Sequence, residues 1–143
     1  MIQRIQTVFL FLAAVAAFGT LGLSFATTEE PIEASALFAD AHFNVLDSPV
    51  LIGDFVLAGL MLLVAIFLFN NRKLQMTVTK LGLLVLGIGI GLGVYFFLND
   101  QAQEKADLAL GIGLPLVTII FGYLAHVYIK KDENLVRSAD RLR

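Results

Sequence analysis

The chain has 143 residues, of which 58% are hydrophobic and only 15% are charged, and its formal net charge is −2. Because soluble domains carry about 25% charged residues, this composition excludes an ordinary soluble domain and indicates a protein largely embedded in lipid. The absence of cysteine excludes disulfides, thiolate nucleophiles and cysteine metal sites.

The first apolar block, residues 5–26, is about 22 residues long and carries no charge. An α-helix of that length extends roughly 33 Å, which is sufficient to cross a bilayer. Arg4 before the block and the small residues Ser24 and Ala26 near its end also resemble a secretory signal with a cleavage site. The apolar region of such a signal usually has about 7–15 residues, so the greater length here favours an uncleaved membrane helix.

Three further apolar blocks follow, at residues 50–69, 81–98 and 108–129. Each has the length of about 20 apolar residues that a transmembrane helix requires. We therefore predict an all-α fold, a four-helix transmembrane bundle formed by one integral membrane domain over residues 1–143. The longest segments outside the blocks are an outer loop, residues 27–49, and a tail, residues 130–143.

The charged residues between the blocks are segregated by sign. Residues 27–54 include six acids and no lysine or arginine, whereas the segment between the second and third blocks has Arg72, Lys73 and Lys80 and no acid. Nine of the ten basic residues fall on one side of the predicted membrane. By the positive-inside rule this side is the cytoplasm, so both termini are predicted to be cytoplasmic.

The outer loop has two features of interest. Pro31 and Pro49 bracket a stretch of good helix formers, residues 32–43, which predicts a short helix lying on the outer surface. His42 lies close in sequence to polar residues that suggest a metal-binding or hydrolytic site, namely Asp40, Asp47 and Ser48. The spacing matches no ligand or triad pattern, so His42 is a weak candidate and a solvated loop is the simpler interpretation.

The third block contains five glycines, Gly82, Gly87, Gly89, Gly91 and Gly93. Gly87 with Gly91, and Gly89 with Gly93, form two pairs of small residues four apart, on nearly opposite faces of a helix. Such pairs allow helix backbones to approach closely, so we predict tight packing of this helix against two neighbours. The alternative is a functional hinge or the close approach of a ligand.

The fourth block opens with Gly111, Gly113 and Pro115. A proline inside a helix removes one hydrogen bond and clashes with the preceding turn, so we predict a kink near Gly111. Broken helices form binding sites in transporters, usually in matched pairs, and this sequence has no second proline-interrupted block. Beyond the block, apolar residues of the tail recur at helical spacing and predict a short cytoplasmic helical extension.

Ionisable residues within a membrane are functional candidates by default, and here they are Asp54 and His126. The uncharged part of the second block extends only roughly 22 Å as a helix. That helix must therefore begin before Asp54, which places Asp54 just inside the outer interface. His126 lies roughly 12 Å from the middle of the fourth block, where we predict an anchor at the cytoplasmic interface beside Tyr123 and Tyr128. A proton relay is the alternative role for His126.

Three segments, Met1–Thr7, Asn71–Gln75 and Lys131–Arg143, resemble a family of small bacterial inner-membrane proteins known as domain of unknown function four-two-nine-three. The resemblance covers the whole chain, and the tail is its most specific part. It implies four spans and a bacterial inner membrane, and it implies no activity. All three segments lie on the predicted cytoplasmic side, where we would look first for a shared interaction.

These observations favour a non-catalytic scaffold or accessory subunit, whose basic cytoplasmic face binds anionic lipid or a membrane protein complex. The residues predicted to form this face are Arg72, Lys73, Lys80, Arg137, Arg141 and Arg143. We predict no cofactor, no metal and no nucleic-acid partner, and a homo-oligomer is one option that the sequence leaves open.

Two alternative functions remain. The first is a small oligomeric transporter or channel, which requires a polar route through the bilayer. The polar residues of the spans that are available for such a route are Thr7, Thr20, Ser24, Asp54, Thr118 and His126. The second is a membrane enzyme that acts on a lipid or quinone, with the outer loop as a lid and with His42 and Asp54 in its site.

Overall fold

Four long helices form the protein, as the hydropathy pattern predicts. A computed structural model describes residues 3–140, with side chains described for residues 5–139. Each of the four helices is long and apolar enough to cross a membrane, so the chain is an all-α, multi-pass membrane protein. The helices are α1 (Gln3–Gly19), α2 (Pro49–Phe67), α3 (Arg72–Asn99) and α4 (Gly113–Asp140).

The helices are arranged as a ring in which each one contacts the helices before and after it, and α4 closes the ring on α1. The inner part of the bundle is filled by small and aliphatic side chains, which include Leu10, Ala14, Leu62 and Ile129. Alanines on α1 allow the backbones of neighbouring helices to approach closely, which is the usual way in which membrane helices pack. Similarly, the ring of Phe18 on α1 lies over the backbone of Gly59 on α2.

The α2–α3 hairpin is tighter than the sequence suggests. The third span is predicted to begin at residue 81, but α3 begins at Arg72 and only residues 68–71 connect the two helices. Asn71 caps α3, because its side-chain oxygen accepts a hydrogen bond from the backbone N–H of Leu74 at 3.1 Å. The basic residues before the apolar block are therefore helical, and α3 extends beyond its most apolar part.

The start of α4 differs from the predicted kink. Pro115 lies in the first turn of α4, which begins at Gly113 after a short 3-10 helix, Leu110–Ile112. The first N–H groups of a helix have no acceptor within it, so a proline here removes no helical hydrogen bond. The role of Gly111 is to allow close contact with the segment after α1, and not to permit a kink. Its N–H donates to the carbonyl of Ser24 at 3.1 Å, and a Cβ at this position would collide with that backbone.

The segments at one end of the bundle form a cap with a small antiparallel sheet. Its central strand is β1 (Ala26–Thr27), which lies between β2 (His42–Phe43) and β3 (Asp107–Leu108). The cap brings together the segment after α1, the segment before α2 and the segment before α4. It covers a cluster of phenylalanines at that end of the bundle, namely Phe25, Phe38, Phe43, Phe55 and Phe97.

The surface helix predicted over residues 32–43 is not formed, since this segment runs in turns and bends before β2. The Ser35 hydroxyl accepts hydrogen bonds from the backbone N–H groups of Leu37 and Phe38 and so organises a turn that competes with a helix. It also donates to the carboxylate of Asp100, just beyond α3, at 2.8 Å. This contact attaches the cap to the end of α3 and holds Phe38 in the buried cluster.

Candidate functional site

The end of the bundle opposite the cap carries the basic residues that the sequence singles out, and Arg72 has a specific partner there. The Arg72 Nε donates to the carboxylate of Asp132 at 2.6 Å. This ion pair joins the start of α3 to the part of α4 after residue 129, which we call the extension of α4. The two side chains are only 22% and 13% exposed. The sequence suggests that Arg72 is an open binding residue. The structure differs, because Asp132 from a distant segment neutralises the charge of Arg72.

The remaining basic residues of this end are solvent-exposed. Lys73 and Lys80 on α3 and Arg137 on α4 are exposed, and so are two residues that the sequence prediction did not include in the face, Lys130 and Lys131. Arg141 and Arg143 lie outside the described residues. We refer to the exposed set (Lys73, Lys80, Lys130, Lys131 and Arg137) as the basic end.

Beneath the basic end, a small polar cluster lies entirely inside the bundle. Gln6 on α1 and Gln75 and Thr79 on α3 are all 0% exposed. The Gln6 amide donates to the side-chain oxygen of Gln75 at 3.5 Å, and the Gln75 amide donates to the carbonyl of Ala65 at 2.9 Å. Buried amides of this kind specify which helices meet, because an unpaired amide in an apolar interior is costly.

The described residues of the three segments that carry the family resemblance lie at this same end of the bundle. Gln6 belongs to the first segment, Gln75 and Arg72 to the second, and Asp132 to the third. The amide contact joins the first to the second, and the ion pair joins the second to the third. Sequence reasoning missed this cluster, although a glutamine inside the first apolar block and another shortly before the third were the available signal.

Asp54 and His126, the two ionisable residues that the sequence analysis placed within the membrane, each lie beside a neighbouring helix. His126 is half-buried near Lys80 and Lys130, and its Nδ1 is buried without a hydrogen-bond partner among the described residues. Asp54 lies in the second turn of α2, as expected from the length of the uncharged block. Its carboxylate lies against the backbone of Gly89 on α3, and its Oδ2 has no hydrogen-bond partner within the described chain.

The glycines of α3 serve two different purposes. A Cβ at Gly82 would lie 3.2 Å from the Cβ of Met61, and a Cβ at Gly89 would collide with Asp54, so these two positions allow α2 to approach. By contrast, a Cβ at Gly87, Gly91 or Gly93 would lie more than 4 Å from the other described residues that could pack against it. At these three positions the structure therefore differs from the prediction that all five glycines serve close helix packing.

A cavity of about 270 Å³ lies between α3, the start of α4 and the cap. Its lining is apolar and consists of phenylalanines, aliphatic side chains and two of the α3 glycines. Lining residues from the cap and the adjoining part of α2 are Phe25, Ala26, Phe43, Phe55 and Leu108. Those from α3 and from the start of α4 with its preceding turn are Gly89, Ile90, Gly93, Val94, Phe97, Ile112, Pro115 and Leu116.

The polar residues suggested as a transport route do not line this cavity. Two of them are occupied within their own helices: the Thr20 hydroxyl donates to the carbonyl of Ala17 at 2.6 Å, and the Thr118 hydroxyl donates to Leu114 at 2.9 Å. A hydroxyl bonded to its own helix does not project a polar group into a shared path.

The acids near His42 bond to the backbone of the cap. Asp40 accepts the N–H of His42 at 3.1 Å, and Asp47 accepts the N–H of Asn44 at 2.7 Å in a capping box. Partial burial raises the pKa of Asp47, although the Asn44 N–H acts in the opposite direction. His42 is exposed, and among the described residues no cluster of three His, Asp or Glu side chains is able to hold a metal ion.

Comparison with known proteins identifies the family. The family described as Domain of unknown function (DUF4293) matches residues 2–142. Searches of curated proteins and of solved structures gave no match. Since the family match extends over nearly the whole chain, the protein belongs to the DUF4293 family.

Proposed function

We propose that this protein is a non-catalytic scaffold or accessory subunit of the bacterial inner membrane, and that its basic end faces the cytoplasm and binds anionic lipid headgroups. The observation that carries the proposal is a repeated pattern on α3. Lys73 is followed by Leu74, and Lys80 by Leu81, and all four side chains are exposed.

The spacing of this pattern fits a membrane interface. Residues seven apart lie on nearly the same face of a helix, about 10 Å from each other along its axis. Each lysine therefore has an exposed leucine beside it at the same depth. A leucine in the acyl region with a lysine extending to the headgroups is the arrangement that basic, apolar helix faces adopt at anionic membranes.

The extension of α4 adds charge to the same surface. Lys130, Lys131 and Arg137 are exposed, whereas Asp132 is engaged by Arg72 and is only partly accessible. Because Asp132 is paired with Arg72, it does not compete with lipid headgroups for the exposed basic side chains. Each exposed basic side chain near an anionic surface contributes about 1 kcal/mol of attraction.

The test is retention of phosphatidylglycerol by the purified protein. The double variant Lys73→Glu/Lys80→Glu removes about 2 kcal/mol of attraction, so the relative affinity for phosphatidylglycerol over phosphatidylcholine falls by about thirtyfold or more. Native mass spectrometry in mild detergent measures this ratio. Lys105→Glu is the matched control, because Lys105 is an exposed lysine on the cap side of the bundle, and its substitution leaves the ratio unchanged. An unchanged ratio in the double variant refutes lipid binding by this face.

The orientation is tested separately by cysteine labelling. The chain has no cysteine, so single cysteines at Glu30 in the cap and at Ser138 on α4 are each the only label site. Both residues are exposed. A membrane-impermeant maleimide added to intact cells labels Glu30→Cys, and it labels Ser138→Cys only after the membrane is opened. The reverse pattern would refute the assignment of the basic end to the cytoplasm.

The polar contacts within the bundle support a role without transport or catalysis. A transporter needs polar groups around a common path, whereas the hydroxyls of Thr20 and Thr118 bond to backbone carbonyls three or four residues before them and the cavity is apolar. A lipid or quinone enzyme that uses His42 and Asp54 needs both at one reaction centre. Neither of them lines the cavity.

A further inference from the structure

We propose that the cavity beneath the cap is a binding site for one acyl chain of a phospholipid in the leaflet next to the cap. The site lies at the opposite end of the bundle from the basic end. It therefore stands independently of the proposed function, and failure of either leaves the other in place.

The cavity exists because glycine occupies the wall of α3 at the level where α3 faces the start of α4. A Cβ at Gly93 would have no neighbour within 4 Å among the side chains and segments that the structure describes. Gly93 is nevertheless buried, so it faces an open space inside the protein rather than a neighbouring helix. A larger residue in place of Gly93 would fill this space.

The open side of the cavity is continuous with the surface of the spans. Val94, Ile112 and Leu116 line the cavity and are 51%, 45% and 57% exposed. They belong to candidate membrane spans, so their exposed surfaces face hydrocarbon rather than water. A chain that leaves the bilayer to enter the cavity therefore exchanges one apolar environment for another.

The lining and the size identify the occupant as a hydrocarbon chain. Within residues 5–139, no ionisable or hydrogen-bonding side chain lines the cavity, so its lining offers nothing that would recognise a headgroup. Its volume of about 270 Å³ lies just below the range of roughly 300–1,000 Å³ that small-molecule pockets occupy, which suits one flexible chain and not a whole lipid. Filling the space restores dispersion contacts that the phenylalanine rings would otherwise lack.

Two glycines on α3 offer a matched test. Gly93→Leu fills the cavity, whereas Gly91→Leu adds the same side chain at an exposed position of the same helix, also without an atom within 4 Å. The probe is phosphatidylcholine with a photoreactive diazirine in one acyl chain, incorporated into nanodiscs with the full chain. Crosslinks are mapped by peptide mass spectrometry.

We expect the cavity residues Val94 and Leu116 to be labelled at least tenfold more than Ile88, a span residue of similar exposure outside the cavity. Gly93→Leu lowers that labelling tenfold, and Gly91→Leu leaves it unchanged. Leu116→Trp narrows the cavity from α4 and supplies the same test if Gly93→Leu does not fold. If Val94, Leu116 and Ile88 are labelled equally, or if Gly93→Leu and Gly91→Leu give equal labelling, the crosslinks report only the lipid that surrounds the spans. Either result overturns the proposal.

Discussion

Replacement of Gly89 by alanine is expected to displace the Asp54 side chain and to press on the Phe55 ring, because the Asp54 carboxylate occupies the space that a Cβ would need. Overpacking of a buried position costs about 1–3 kcal/mol. Alanine also has a helix propensity up to about 1 kcal/mol better than glycine, which partly hides the cost in a single measurement. The free energy of unfolding of Gly89→Ala alone is therefore an incomplete test.

The control is Gly87→Ala, two residues earlier on the same helix, where no atom lies within 4 Å of the position of a Cβ. Both substitutions gain the same propensity, so the difference between them isolates the steric cost. Gly89→Ala should thus be about 1–3 kcal/mol less stable than Gly87→Ala. The assay is reversible unfolding in mild detergent, followed by circular dichroism.

A third variant identifies the colliding group. Asp54→Ala removes the carboxylate, so the combination Asp54→Ala/Gly89→Ala should recover at least half of the lost stability as a coupling between neighbouring sites. Phe55 also approaches Gly89, with a ring carbon 3.2 Å from the position of a Cβ, and accounts for the remainder. Equal stabilities of Gly89→Ala and Gly87→Ala, or strictly additive effects of the two substitutions, would refute the reasoning.

Three further predictions concern the contacts that join distant segments. Reversal of Arg72 and of Asp132 to the opposite charge should each lower the free energy of unfolding by about 1 kcal/mol or more, because the pair is mostly buried and the remaining charge is left uncompensated, and the charge-swapped double variant should recover most of it. Gln75→Leu should cost about 1–3 kcal/mol, since it leaves the buried Gln6 amide without its partner; Thr77→Ala, at an exposed position two residues further along α3, should change the free energy of unfolding by less than about 0.5 kcal/mol. Ser35→Ala should speed proteolysis within residues 28–41, because it removes the hydrogen bonds of the Ser35 hydroxyl with the Asp100 carboxylate and with the N–H groups of Leu37 and Phe38; an unchanged cleavage rate would show that these hydrogen bonds do not hold the cap.

The cap illustrates why some local predictions from the sequence are wrong. Residues 32–43 contain good helix formers, and an isolated segment of that composition would favour a helix. In the folded chain, Phe38 is 0% exposed within a cluster that contains Phe43 of the same segment and phenylalanines from three other parts of the sequence. Burial of that ring, together with the Ser35 contact to Asp100, stabilises a turn conformation that local propensity does not indicate.

The candidate site divides in the same way. The exposed lysines of α3 were predictable because charge near a span end is a property of the sequence alone. The engagement of Arg72 was not, since its partner Asp132 lies sixty positions away along the chain. The cavity was not predictable either, because its lining residues come from α2, α3 and α4 and from all three strands of the cap.

The sequence by itself determined that this protein crosses a membrane on four helices, because the number and length of apolar segments must match the thickness of hydrocarbon. Hydropathy and charge are summed along the chain, so they need no knowledge of which segments meet. Only the tertiary structure decided that Gly89 accommodates Asp54 while Gly93 opens a cavity. Those roles depend on what lies opposite each glycine, and helices distant in sequence determine what lies there.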